Sequence, residues 1–126
     1  MHESAALLEA IQQAFRDVPR PEHFTNYQHC DECFEHDQTL REHDPVSIGL
    51  DQLGHPAWDP ICFVSVEGFL YYLPALARLA LGRDQAYYLD QLLFHLRWPP
   101  ERIDRMTIPQ RTALVALLQY LSLIHI

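Results

Sequence analysis

Nine consecutive residues, His29 to Asp37 (HCDECFEHD), hold two cysteines and two histidines among four acidic neighbours. Cys30 and Cys33 form a Cys-x-x-Cys pair, and His36 follows three residues later. Residues three and four apart are neighbours on a helix surface, so a helix through this stretch aligns Cys33, His36, Leu40 and His43 on one stripe. Cys30, at the helix entrance, can fold over the same turn. Two thiolates and an imidazole suit zinc, which prefers soft and borderline donors in a tetrahedral set. Cys30, Cys33 and His36 are the expected metal ligands, with a fourth from His29 or His43, or else from His23 or Cys62.

The same pair can be read as a redox dithiol. A helix N-terminus favours a thiolate, but Asp31, Glu32 and Glu35 oppose it, which ranks chelation above a reactive thiol. The plainest reading is packing: Cys30, Cys33, Phe34 and Leu40 make an apolar stripe, and unpaired cysteine is often buried as a small hydrophobe. A single Cys-x-x-Cys is a weak signal without a second pair.

Several chemistries are excluded. All nine basic residues are arginine, so a lysine Schiff base, a phosphate-loop lysine and a Ser-Lys dyad have no residue to use. The four glycines cannot be arranged into a dinucleotide or phosphate-binding loop, and no serine sits in a Gly-x-Ser-x-Gly elbow. No histidine follows a glutamate by three positions, and His-Glu-x-x-His cannot be written either. A formal charge of -8 argues against nucleic acid and anionic membranes as partners. No catalytic set is complete, so the expected role is a cytosolic accessory or interaction domain with a protein partner. A zinc-binding module and a thiol oxidoreductase are the alternatives. Three cysteines, an odd number, and a start without a signal-peptide pattern fit a reducing cytosol.

The positioning elements follow from hydrophobic periodicity. Leu7, Leu8, Ile11 and Phe15 mark a first helix with Ser4 as its N-cap. Pro19 and Pro21 then break the chain ahead of a second helix from about Asp31 to His43, which ends before Asp44-Pro45. Residues 45–60 give mixed signals, and Ile61 to Val64 reads as an extended, buried strut. Trp58, Asp59, Tyr71 and Tyr72 could line a pocket, although core packing is the simpler account.

Ser65 caps a core helix built on Val66, Phe69, Leu70, Leu73, Leu76, Ala77 and Ala80, with Gly82 closing it and Pro74 as an interruption or a restart. Asp84 is the expected cap of the next helix, with Tyr88, Leu89, Leu92, Leu93 and Leu96 inward. Thr107 and Gln110 form a capping box for a last helix with Leu114, Val115, Leu117, Leu118 and Leu121 on its inner side. The fold expected is mostly α: a single compact domain over residues 1–121, four or five helices with one irregular or extended segment in the middle. Residues 122–126 stand apart as a tail of doubtful origin.

The stretches HCDECFEHDQTLREHD and WDPICFVSVEGFLYYLPALARLAL resemble a family of small bacterial proteins known only as domain of unknown function 6714. The resemblance spans the chain to about Leu121 and implies one compact bacterial domain. It brings no activity, cofactor or catalytic residue to carry over.

Overall fold

The computed structural model describes residues 2–82 and 88–124. Among these, the chain is mostly helical and has no strand. The seven α-helices are α1 (His2–Phe15), α2 (Asp31–Arg41), α3 (Leu50–Leu53), α4 (Val66–Leu81), α5 (Leu89–Arg97), α6 (Glu101–Asp104) and α7 (Ile108–Ile124), with two 3-10 turns at Pro56–Trp58 and Pro60–Phe63. The mostly α expectation holds, but the count of four or five helices is too low. The additional elements are single turns of three or four residues, too short to show a period in sequence.

Helix α4 is the axle of the fold. Ten of its sixteen residues are buried, among them Phe69, Tyr72, Leu73 and Leu76. Ser65 caps it by accepting from the Gly68 amide, and it ends at Gly82 as expected. Pro74 lies inside a single helix instead of opening a second one. Gly68 is needed for close approach: a Cβ there would stand 3.2 Å from a ring carbon of Phe24.

Helices α1 and α7 lie against each other, α1 also packs on α4, and α5 and α6 complete the other side of α4. Ser4 lies inside α1 and not at its N-cap. The capping box at α7 forms as expected: the Gln110 amide donates to Thr107 Oγ1 and the Thr107 amide to Gln110 Oε1. Leu93 and Val115, expected inward, are exposed. The expected cap Asp84 lies outside the described residues, as does His125.

The segment at Ile61–Val64, expected to be extended, belongs mainly to the second 3-10 turn, with Val64 forming one isolated antiparallel bridge to Thr25. Asp59 starts that turn by accepting from the Ile61 amide at 2.9 Å, and Pro60 at its first position loses no needed donor. Helix α2 rests on this turn, which α3 also contacts.

Candidate functional site: a dithiol at a helix N-terminus

Helix α2 is polar by composition and is held in place by specific bonds as much as by its apolar face. Buried Asp37 reaches back to the preceding loop, where its Oδ1 accepts from the amides of Phe24 and Thr25 at 2.6 and 3.1 Å. Its Oδ2 lies 2.7 Å from His23 Nδ1. Burial alone would raise the Asp37 pKa, but these three bonds outweigh it and leave the carboxyl below its ordinary value. The Thr25 hydroxyl donates to the Cys33 carbonyl at 2.7 Å, and Tyr72 of α4 donates to the Leu40 carbonyl at 2.6 Å. Both ends of α2 are therefore tied to the rest of the fold.

At the N-terminal end of this helix, Cys30 is the N-cap residue. Its backbone is extended and its sulfur accepts from the Cys33 amide at 3.4 Å. A sulfur in this place takes the role usual for serine or aspartate oxygen, satisfying one of the orphan donors of the first turn. The two sulfurs stand 3.3 Å apart, and His29 Nδ1 lies 3.7 Å from that of Cys33. Cys30 is exposed and Cys33 is buried; both are free thiols.

This geometry divides the proton affinities of the two thiols. The Cys33 amide, then the His29 ring and the Cys33 thiol, stabilise the Cys30 thiolate and bring its pKa down to about 7. Cys33 moves the other way, because its proton is held in the bond to Cys30 and because burial and the nearby charges of Cys30 and Glu32 disfavour a second anion. With Cys30 ionised, the Cys33 S–H is the donor between the sulfurs. The acidic residues expected to suppress a thiolate act on Cys33 through Glu32, while at Cys30 the cap and its neighbours prevail.

Of the expected metal ligands, Cys30 and Cys33 are brought together, and His29 joins them: one donor atom from each lies within 4.8 Å of the others. His36 does not join that group. It is buried on the same stripe as Cys33, with its ring 4.8 Å from those of both Trp58 and Phe63 and its Nε2 3.4 Å from Glu32 Oε2. His43 lies at the far end of the helix with Nδ1 2.8 Å from the Thr39 carbonyl, and His23 is engaged with Asp37. Cys62 lies on the second 3-10 turn, and burial together with the charge of Asp59 raises its pKa.

A second polar cluster is assembled from residues distant in sequence. Asp59 accepts through Oδ2 from Tyr88, from Gln91 Nε2 at 2.8 Å and, also at 2.8 Å, from His95 Nε2. Arg102 beside it is buried, donating to the carbonyls of His95, Trp98 and Ile61 and lying over the Phe69 ring. The aspartate at the start of a Pro-containing turn was its one visible signal. Tyr71 and Tyr72 belong elsewhere, their rings tilted against Phe24.

A small helical protein carrying an N-capped dithiol is the class these features define. The chain belongs to the family of unknown function DUF6714, whose model matches residues 3–125. No curated protein and no solved structure matches it. Among the described residues, no helix is long and apolar enough to cross a membrane.

Proposed function

We propose that Cys30 and Cys33 form a thiol–disulfide exchange centre and that the chain acts as a reductant of disulfides. The observation that carries this reading is the division of labour in the pair. Cys30 is exposed, with its pKa lowered to about 7, and Cys33 is buried with its proton retained. A thiol whose pKa lies near ambient pH is the best attacking group in such exchange.

The Cys30 thiolate attacks one sulfur of a substrate disulfide, forms a mixed disulfide and expels the other substrate sulfur as a thiolate. That thiolate takes up a proton from the medium, where the proton lost by Cys30 has gone. Cys33 then loses its proton and attacks Cys30 Sγ from 3.3 Å, closing the internal disulfide and releasing the second substrate sulfur, which is protonated in turn. Two electrons and two protons pass from the pair to the substrate. A dithiol donor returns the pair to its reduced state.

The test is turnover of a small disulfide in the presence of a dithiol donor. Cys30→Ser abolishes it, whereas Cys33→Ser stops after one event and accumulates a mixed disulfide visible by mass spectrometry. Wild-type protein that reduces nothing, or a Cys33→Ser variant with unchanged turnover, returns the chain to a non-catalytic interaction domain.

Zinc is a second reading, favoured by the three donors of His29, Cys30 and Cys33 within 4.8 Å of one another. Two thiolates sharing one zinc stand roughly 3.8 Å apart, given Zn–S bonds near 2.3 Å, so the 3.3 Å separation fits a hydrogen-bonded thiol pair better. Elemental analysis of untagged protein decides the point. Less than about a tenth of an equivalent of metal disposes of zinc, and near-stoichiometric zinc lost with Cys33→Ser establishes it.

A further inference from the structure

One turn after each cysteine of the dithiol, α2 leads to aromatic side chains that solvent still reaches. Phe34, Trp58 and Phe63 are 49%, 47% and 38% exposed. Phe34 follows Cys30 by one turn of α2, with its amide donating to the Cys30 carbonyl at 3.0 Å. Trp58 and Phe63 lie against His36, which follows Cys33 by one turn. A reducing centre for small soluble disulfides has no need of such a collar, and aromatics of this kind are enriched where a protein surface binds another chain.

The charge around the collar has one sign. Asp31, Glu32 and Glu35 share the first turns of α2 with the dithiol, and Glu32 reaches His36 beneath the aromatics. Neither residues 21–40 nor residues 46–64, the two segments that make this surface, contain an arginine or a lysine. Arg41 lies at the opposite end of α2 from the dithiol, and Arg102, whose charge is felt at Cys62, is buried and bound to backbone carbonyls. An anionic approaching chain meets no compensating cation there, whereas a cationic one meets a field that draws it in.

We propose that this surface seats a polypeptide whose disulfide-bonded cysteine is flanked by an aromatic residue and by arginine or lysine. The inference rests on the dithiol reading and names its substrate class. The aromatic neighbour of the substrate cysteine packs against Phe34 or against Trp58 and Phe63, and its basic neighbours face Asp31, Glu32 and Glu35. The sulfur is thereby presented to Cys30.

The test uses reduced full-length protein and two synthetic peptides, each with one cysteine blocked as a 2-thiopyridyl disulfide, so that release of thiopyridone reports attack by Cys30. One peptide has Phe and Arg beside the cysteine, the other Ser and Glu; 2,2'-dithiodipyridine is the small-molecule reference. At low salt the Phe/Arg peptide reacts about tenfold faster than the Ser/Glu peptide, and high salt shrinks that ratio as screening removes the electrostatic part. Asp31→Arg combined with Glu35→Arg, two exposed positions, brings the ratio toward one or inverts it. Trp58→Ala lowers the Phe/Arg rate relative to the same peptide with Phe replaced by Ser. Equal rates for both peptides, with dithiodipyridine still consumed, would overturn the proposed substrate class alone. Failure to consume even dithiodipyridine sinks the dithiol reading beneath it.

Discussion

At the entrance of α2 an exposed thiol and a buried one stand side by side with their proton affinities moved apart, whereas at the junction of the 3-10 turns with α5 and α6 a carboxylate, a phenol and an imidazole are sealed from solvent. Both clusters collect residues able to do chemistry. They differ in access and in what the hydrogen bonds accomplish. At Cys30 the bonds favour a charged form that a reagent in water can reach. At Asp59 four donors converge on one carboxylate that nothing outside can approach, so their effect is to join the Pro60–Phe63 turn to α5. A perturbed environment is a functional clue only where a substrate can arrive. The Tyr88 hydroxyl makes the same point: burial, with the charge of Asp59, drives its pKa far up and leaves it a permanent donor.

The comparison is broken most directly by Asp59→Asn. The amide must present an NH2 group to at least one of the donors now met by Oδ2, and the buried Arg102 nearby loses an offsetting charge. His95 Nδ1 and Arg102 Nε find no hydrogen-bond partner among the described residues, so the cluster has little slack. The expected cost is about 3–5 kcal/mol of unfolding free energy, read by urea denaturation, because one member of a buried charged network has been removed. A loss under about 1 kcal/mol would mean the cluster does not carry structural weight, and the contrast with the dithiol would fail.

Asp37→Asn sharpens the contrast at intermediate cost, since Asp37 is buried like Asp59 but serves the exposed site by fastening the His23–Thr25 loop to α2. An asparagine can keep its oxygen toward the two amides and lose only the partner at His23, so roughly 1–3 kcal/mol is expected. The pH dependence carries the sign. The folded pKa lies below the ordinary 3.8, so the stabilisation is fully present above 3.8 and is lost as pH falls through the lower folded value. Wild type therefore loses stability with acid in that window, and the asparagine variant loses less. Parallel acid-unfolding curves for the two proteins would show that Asp37 is not the group responsible.

How much of this was legible depends on range. The long helices, the Ser65 cap, the closing Gly82 and the Thr107–Gln110 box are local patterns, readable because each is set by residues within a turn or two. The Cys30–Cys33 pair was visible for the same reason. His36 was misleading, since helical spacing puts it on the dithiol's stripe but cannot tell that Trp58 and Phe63 will cover it from 22 and more residues away. His29, adjacent in sequence to the cap, takes the place expected of His36 beside the sulfurs. The Asp59 cluster has one local signature, an aspartate ahead of a proline, because its side-chain donors come from α5 and its N-cap residue, 29 to 36 residues on. The exposed Val115 and Leu93 show the converse limit, where apolar type alone does not determine which face a helix buries.

The smallest effect expected falls on the stability of Cys30→Ser, and it separates cap from nucleophile. Serine is itself a preferred N-cap and its hydroxyl can accept from the Cys33 amide as the sulfur does, so α2 keeps its start. What the variant lacks is ionisation. The folded pKa of Cys30, about 7, lies below the ordinary 9.0, so its thiolate contributes stability that is fully present above pH 9 and lost as pH falls through about 7. Wild type should therefore gain on Cys30→Ser between pH 6 and pH 9 by an amount small beside the Asp37 variant's loss, measured as the difference between their urea midpoints at the two pH values. A constant difference across that range would mean that folding does not favour the thiolate at the cap, and Cys30 would then have no advantage over Cys62 as the attacking thiol.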